Sequence, residues 1–216
     1  ANIGHETGIY LKTGKDLDNG LGMSAGFGLV NGTNEDQFLT LSSGNTSFSV
    51  GNDVSGVADN VSHEDFTPNV AQDIHLTGVG GVDDVESVHG GNGIYLKHKT
   101  DMITLEGVYA PTTNADKETT ASINNEAAGS GYDLAVHGNF GIEGLKVGYG
   151  VSEKQANSAS VADSDVEGKA MGIMYSINGL TVGVGKVTNT ASALDTENTS
   201  YGISYQVNDQ ITLAVT

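Results

Sequence analysis

Alternation with a period of two recurs along almost the whole chain, and it limits the fold more than any other feature. In a strand, successive side chains leave on opposite faces, so apolar residues two apart share a face. Ile9, Leu11 and Thr13 share one phase, with Tyr10 and Lys12 on the other. Leu21, Met23, Ala25, Phe27 and Leu29 follow, with Gly and Ser between them. Short runs surround Leu39 and Leu41, then Phe48 and Val50. Ile94 and Leu96 alternate with Tyr95 and Lys97, and Leu105, Gly107 and Tyr109 with Thr104, Glu106 and Val108. Tyr132, Leu134 and Val136 oppose Asp133, Ala135 and His137, while Leu145, Val147, Tyr149 and Val151 oppose Lys146, Gly148 and Gly150. Residues 171–177, 180–184, 201–207 and 211–215 repeat the pattern. About twelve strands result, and the density of Gly and β-branched residues leaves no good helix.

The links between these runs predict a topology. Short, turn-rich links fall at 16–20, 42–45, 99–102, 140–144, 178–179 and 208–210. Longer polar links at 31–36, 51–92, 111–131, 152–168 and 186–200 alternate with them. A meander with short turns at one rim and long links at the other is the layout of a transmembrane β-barrel. A soluble sandwich has no reason to sort its links this way. The faces agree. A soluble barrel fills its interior with large apolar side chains, whereas here the second phase is Gly, Ser, Thr, Lys, Asp and Gln, which suits a wet interior. The expected fold is all-β: a transmembrane, antiparallel, up-and-down barrel, with residues 1–216 as one domain. Tyr109, Tyr132, Tyr149 and Tyr201 stand at strand ends beside the long-link rim, as an aromatic girdle would. The general preference of Tyr for strands is the other reading.

Composition removes several classes of function. Twenty-seven acidic residues stand against 9 Lys and no Arg, a net charge of −18. A nucleic-acid partner is excluded, since phosphate neutralisation needs a basic surface. The chain has no Cys, so disulfides, thiol chemistry and Cys-based zinc sites are out. No apolar run reaches the length of a transmembrane helix. The chain starts at Ala1 without a signal-peptide pattern, which reads as a processed or incomplete chain. His63-Glu64-Asp65, Asp83-Asp84-Val85-Glu86 and Asp163-Ser164-Asp165-Val166-Glu167 offer oxygen ligands, but none has EF-hand spacing. Loose binding of Ca²⁺ or Mg²⁺ at these loop acids is the most they suggest, and no cofactor is expected. His63, His75 and His89 are too widely spaced to argue for zinc. The sequence reads as having no Gly-x-Ser-x-Gly elbow, no phosphate loop and no helix to mount one on, so no enzyme is expected.

Several segments resemble a known family. They are LDNGLGMSAGFGL (17–29), LTLSSGNTSFSVGN (39–52), GVGGVDDVESVHGGNGIYLK (78–97), VYAPTT (108–113), GYDLAVHGNFGIEGLKVGYGVSE (131–153) and SYGISYQVNDQITLAV (200–215). Together they resemble the general porins of Gram-negative bacteria, most closely those of marine alphaproteobacteria. The resemblance implies a sixteen-stranded barrel in outer-membrane lipid, assembled as a homotrimer, with a water-filled pore for small hydrophilic solutes. The strands here would be the second to the thirteenth, with one missing before Ala1 and three after Thr216; a natural twelve-stranded barrel is the alternative.

The family folds its third long loop into the lumen. Residues 51–92 hold the matching place, which makes Asp53, Asp59, Glu64, Asp65 and Asp73 the acids of a constriction. Lys12, Lys97, Glu106, Asp133 and Lys146 are the pore-lining candidates by phase. The Arg residues that the family sets against its acidic loop are absent here. A solvated external loop remains the other reading of 51–92. The acidic balance predicts a cation-preferring pore. Two other functions compete: a secreted, soluble β-rich binding or adhesin-like module, and a cation-dependent surface-layer protein.

Overall fold

The computed structural model describes residues 8–30, 33–52, 57–61, 66, 92–111, 113–114, 127–155, 165–191 and 194–215. Twelve strands form one sheet in chain order. They are β1 (Gly8–Asp16), β2 (Gly22–Val30), β3 (Thr33–Ser43), β4 (Thr46–Asn52), β5 (Asn92–Lys99), β6 (Ile103–Ala110), β9 (Gly131–Gly138), β10 (Leu145–Lys154), β11 (Val166–Ile177), β12 (Leu180–Ala191), β13 (Leu194–Asn208) and β14 (Ile211–Val215). Between β6 and β9, β7 (Thr113–Asn114) and β8 (Ala127–Ala128) pair only with each other. Every pairing is antiparallel between neighbours, as an up-and-down meander requires.

Turn chemistry closes the short rim. Asn178 and Gly179 both take positive φ, 49° and 79°. That is the type I′ geometry which matches strand twist and which Asn-Gly adopts most readily. At 208–210 the Asn208 side chain closes an Asx turn by accepting the Gln210 N–H at 2.9 Å.

The opposite rim departs from the sequence reading. Residues 31–36 and 186–200 were expected to be loops, yet β3 begins at Thr33 and β12 and β13 run through to Ala191 and from Leu194. Their links shrink to residues 31–32 and 192–193. The ladder continues where the apolar alternation stops, because backbone pairing does not depend on side-chain polarity. On this extension Lys186 pairs with Glu197 across the strands at 2.9 Å, a cross-strand ion pair of the kind that supports a hairpin in water.

Register places the two phases on two faces. On one, Leu105 pairs with Val136, Leu134 with Val151, Ile173 with Val184 and Val182 with Ile203. Leu105, Leu134, Ile173, Val182 and Ile203 stand exposed on this face, Leu134 at 54%, while Val136, Val151 and Val184 are half-buried; on β14 Leu213 is 63% accessible. On the other face, Glu106 pairs with Ala135, Ala135 with Gly150 and Gly150 with Ala170. All the buried apolar residues among those described belong to this second face or to the segment lying on it: Val108, Ala110, Ala135, Ala170 and Val187, with Val57, Ala58, Val61 and Phe66. Among the described residues the large apolar side chains are outside and the buried apolar cluster is on the polar face, the reverse of the arrangement in a soluble sandwich. Tyr109, Tyr132, Tyr149 and Tyr201 are all on the exposed apolar face, and Tyr175 and Tyr205 join them near the short turns.

Adjacent positions therefore see different solvents. Spin labels on Ile203→Cys and Ser204→Cys in lipid should show opposite accessibility, the first to oxygen and the second to a polar nickel chelate. Equal accessibility at the two sites would refute the two-faced sheet.

Candidate functional site

The polar face is covered at one place. Residues 57–61 and Phe66, from the link between β4 and β5, lie against it, and the short 3-10 turn Ala58–Val61 packs on β9, β10 and β11. Three kinds of contact hold the segment.

Asp133 of β9 is fully buried, and its Oδ2 accepts the N–H groups of Val57 at 3.0 Å and Ala58 at 3.3 Å. N–H groups at the start of a helical turn have no partner within it. A carboxylate from a distant strand thus does the work of an N-cap, with charge-assisted bonds.

Glu106 of β6 is the hub of the second contact. Its carboxylate is only 2% exposed, a position tolerated because every side of it meets a donor. Lys97 Nζ lies 2.7 Å from Oε1, and the Tyr95 hydroxyl donates to the same oxygen at 2.5 Å. Oε2 accepts the Asn60 side-chain amide at 3.0 Å and lies 3.2 Å from His137 Nε2. Lys97 faces Glu106 because the two pair directly in the β5–β6 register. Asn60 is the member that comes from the covering segment, so the wall's ion pair also ties that segment down.

The third contact is apolar. Phe66 is wholly buried against the wall, and Lys146 Nζ sits 4.9 Å from its ring centroid, within range of a cation–π contact.

Of the residues picked out by phase, Lys97, Glu106, Asp133 and Lys146 come together around this segment. Lys12 shares their face but lies on β1, four strands from β5. Asp59 lies in the 3-10 turn, though its side chain is outside the described residues, as are Asp53, Glu64, Asp65 and Asp73. Tyr95, Asn60, Phe66 and His137 went unselected in the sequence. The phase of Tyr95 and His137 already put them beside Lys97 and Asp133, whereas nothing in the pattern marked Asn60 or Phe66. The reading that the sequence holds no Gly-x-Ser-x-Gly spacing is corrected by Gly22-x-Ser24-x-Gly26, which lies wholly inside the extended β2 and not on the strand-to-helix turn of a nucleophile elbow. Among the described residues no group of three or more His, Asp or Glu could hold a metal ion. At the short-turn end the same face carries open hollows, one lined by Ser176, Thr181, Ser204, Gln206 and Thr212.

The profile of the Gram-negative porin family matches residues 1–216. The chain belongs to that family. Its fold also resembles solved porins. The anion-selective porin from Comamonas acidovorans is 16% identical, with a TM-score of 0.53 over 93% of this chain, and the chain spans 64% of that porin's length. A porin refined at 1.8 Å is 14% identical, with a TM-score of 0.48 over 91% of this chain and 70% of the other. The trimer form of OmpT from Vibrio cholerae is 12% identical, with a TM-score of 0.37 over 94% and 83%. Of the three, the first superposes well enough to bear on the fold. No curated protein matches the chain significantly in sequence. The porin belongs in the Gram-negative outer membrane, its apolar face toward lipid and its polar face toward the lumen. The soluble binding-module and surface-layer readings fall with that assignment.

Removing the Asp133 carboxylate leaves two buried N–H groups without their acceptor, at a cost of about 2 kcal/mol. Asp133→Ala should therefore raise amide hydrogen exchange at Val57 and Ala58 by roughly 30-fold, while β9 and β10 stay protected. Asp133→Asn, which keeps an acceptor oxygen, should show a smaller rise.

Proposed function

We propose that this porin forms a water-filled channel for passive diffusion of small hydrophilic solutes and ions, performs no chemistry, and works as a homotrimer in outer-membrane lipid. The observation that carries this reading is the placement of residues 57–61 and Phe66. They lie on the polar face, while the opposite face keeps its large apolar side chains exposed. A chain segment lying on the wall of a wet lumen narrows the pore, and the link from 51 to 92 is then a constriction that selects solutes by size and charge. The oligomeric part of the proposal rests on membership of the porin family.

The charge preference follows from where each sign sits. On the described polar face, Lys12, Lys97, Lys99, Lys146 and Lys154 outnumber Asp16, Glu106 and Asp133. The wall by itself would favour anions, the preference named for the Comamonas acidovorans porin. The link between β4 and β5 carries in its sequence Asp53, Asp59, Glu64, Asp65 and Asp73, then Asp83, Asp84 and Glu86, eight acids against the wall's small excess of lysine. The proposed pore prefers cations, and the preference resides in this one link.

Reversal potentials across a salt gradient in planar bilayers test the proposal. The wild type should prefer cations, less so as salt shortens the Debye length from about 10 Å at 0.1 M to about 3 Å at 1 M. Neutralising Asp59, Glu64, Asp65 and Asp73 together should carry the preference to or past neutrality, whereas neutralising Asp163, Asp165 and Glu167 should change it little. A wild-type pore that prefers anions, or equal effects from the two sets, would overturn the assignment.

A further inference from the structure

We propose that the depth to which Phe66 sinks into a glycine socket in the wall sets the bore of this porin, so that Gly148, Gly172 and Gly183 are positioning residues for pore size. The inference rests on the reading of 57–61 and Phe66 as part of the constriction.

The socket is built by register. Gly148 of β10 pairs directly with Gly172 of β11, and Gly183 stands on the same face of β12, opposite Met174. Each is in contact with Phe66. A methyl group added at Gly148 would lie 2.5 Å from Phe66 Cζ and 2.7 Å from Val61 Cγ1. One at Gly172 would overlap the Phe66 ring at Cγ and Cδ2, and one at Gly183 would overlap the Phe66 carbonyl oxygen. At Gly150 the added carbon would be 2.9 Å from the Ala58 carbonyl oxygen and 3.1 Å from its Cα. Four wall positions on three neighbouring strands therefore lack a side chain where the segment comes down.

Conformation does not ask for glycine at these places. The left-handed glycines of the sheet lie elsewhere, such as Gly144 and Gly179, and Gly148, Gly150, Gly172 and Gly183 are not among them. Glycine inside a strand weakens it unless a backbone or side chain must approach closely. Close approach is what these four permit.

The contacts divide the work. Asp133 and Glu106 fix the segment's orientation through hydrogen bonds to Val57, Ala58 and Asn60. Phe66 fixes its height. The ring has no spare room, being fully buried with the Lys146 ammonium over it. A larger residue in the socket must lift the segment toward the pore axis, because protein interiors respond to overpacking by moving the inserted group.

The experiment is single-channel conductance of the full-length porin in planar bilayers, with assembly checked by heat-modifiable migration. Gly172→Ala should lower conductance by roughly 1.5-fold, since current follows the open area of the narrowest section. It should also slow a larger neutral sugar more than a smaller one. Gly172→Ala/Phe66→Gly should return to the conductance of Phe66→Gly alone, because the methyl added at Gly172 meets Cβ, Cγ and Cδ2 of Phe66 and glycine removes all three. Gly14→Ala, on the same face of β1 and in ordinary contact only, should leave conductance unchanged. If Gly172→Ala does not assemble, Gly148→Ala tests the same socket. An assembled Gly172→Ala pore with wild-type conductance, or a double variant whose effects simply add, would overturn the socket. A wild type that assembles but does not conduct would instead overturn the channel reading.

Discussion

Backbone hydrogen bonding in lipid is the constraint on which this structure depends. A peptide group facing hydrocarbon has no water to bond, and each one left unpaired costs several kcal/mol. The chain meets this with a twelve-stranded antiparallel ladder from β1 to β14, in which each strand is bonded to its neighbour and β6 to β9 past the separate β7–β8 pair. The side-chain pattern follows from the ladder. Pleating sends alternate residues to opposite faces, so the lipid side must be apolar and the other side is free to be polar, small or charged. Glycine and serine accumulate on that second face because nothing there has to fill a core.

The one core among the described residues arises where a link returns to this polar face. A wall designed for water offers few apolar surfaces, and the segment finds them at Val108, Ala110, Ala135, Ala170 and Val187. Burying a Phe side chain there is worth about 1.5–3 kcal/mol, similar to the contribution of the capped turn. Neither contact suffices alone to hold a long link against the conformational entropy it loses. The placement needs the carboxylate cap, the Glu106 network and the socket together.

The strands were largely legible in the sequence because one face of each meets lipid, and lipid enforces alternation. Where both faces meet water, that enforcement stops. This is why 33–36, 186–191 and 194–200 read as loops although the ladder runs through them. Lys97, Glu106, Asp133 and Lys146 were found by phase alone, yet phase cannot say how far apart two strands lie around the sheet. Lys12 was therefore grouped with residues four strands away. Phe66 and Asn60 lacked any periodic signal, being in an irregular link. The glycines opposite Phe66 looked like filler for a wet lumen, since their meeting depends on register between three strands, which a single sequence does not display.

The seated segment also bears on the order of assembly. The sheet is built from neighbouring hairpins, so most of its contacts join residues close together in the chain and can form progressively. The bond from Val57 to Asp133 joins residues 76 positions apart, and Phe66 needs β10, β11 and β12 already side by side. Contacts of such long range form late, because the intervening loop must be closed first. The wall is thus complete on this side before residues 57–61 and Phe66 seat on it, and a nascent chain passes through a stage in which this part of its polar face is bare.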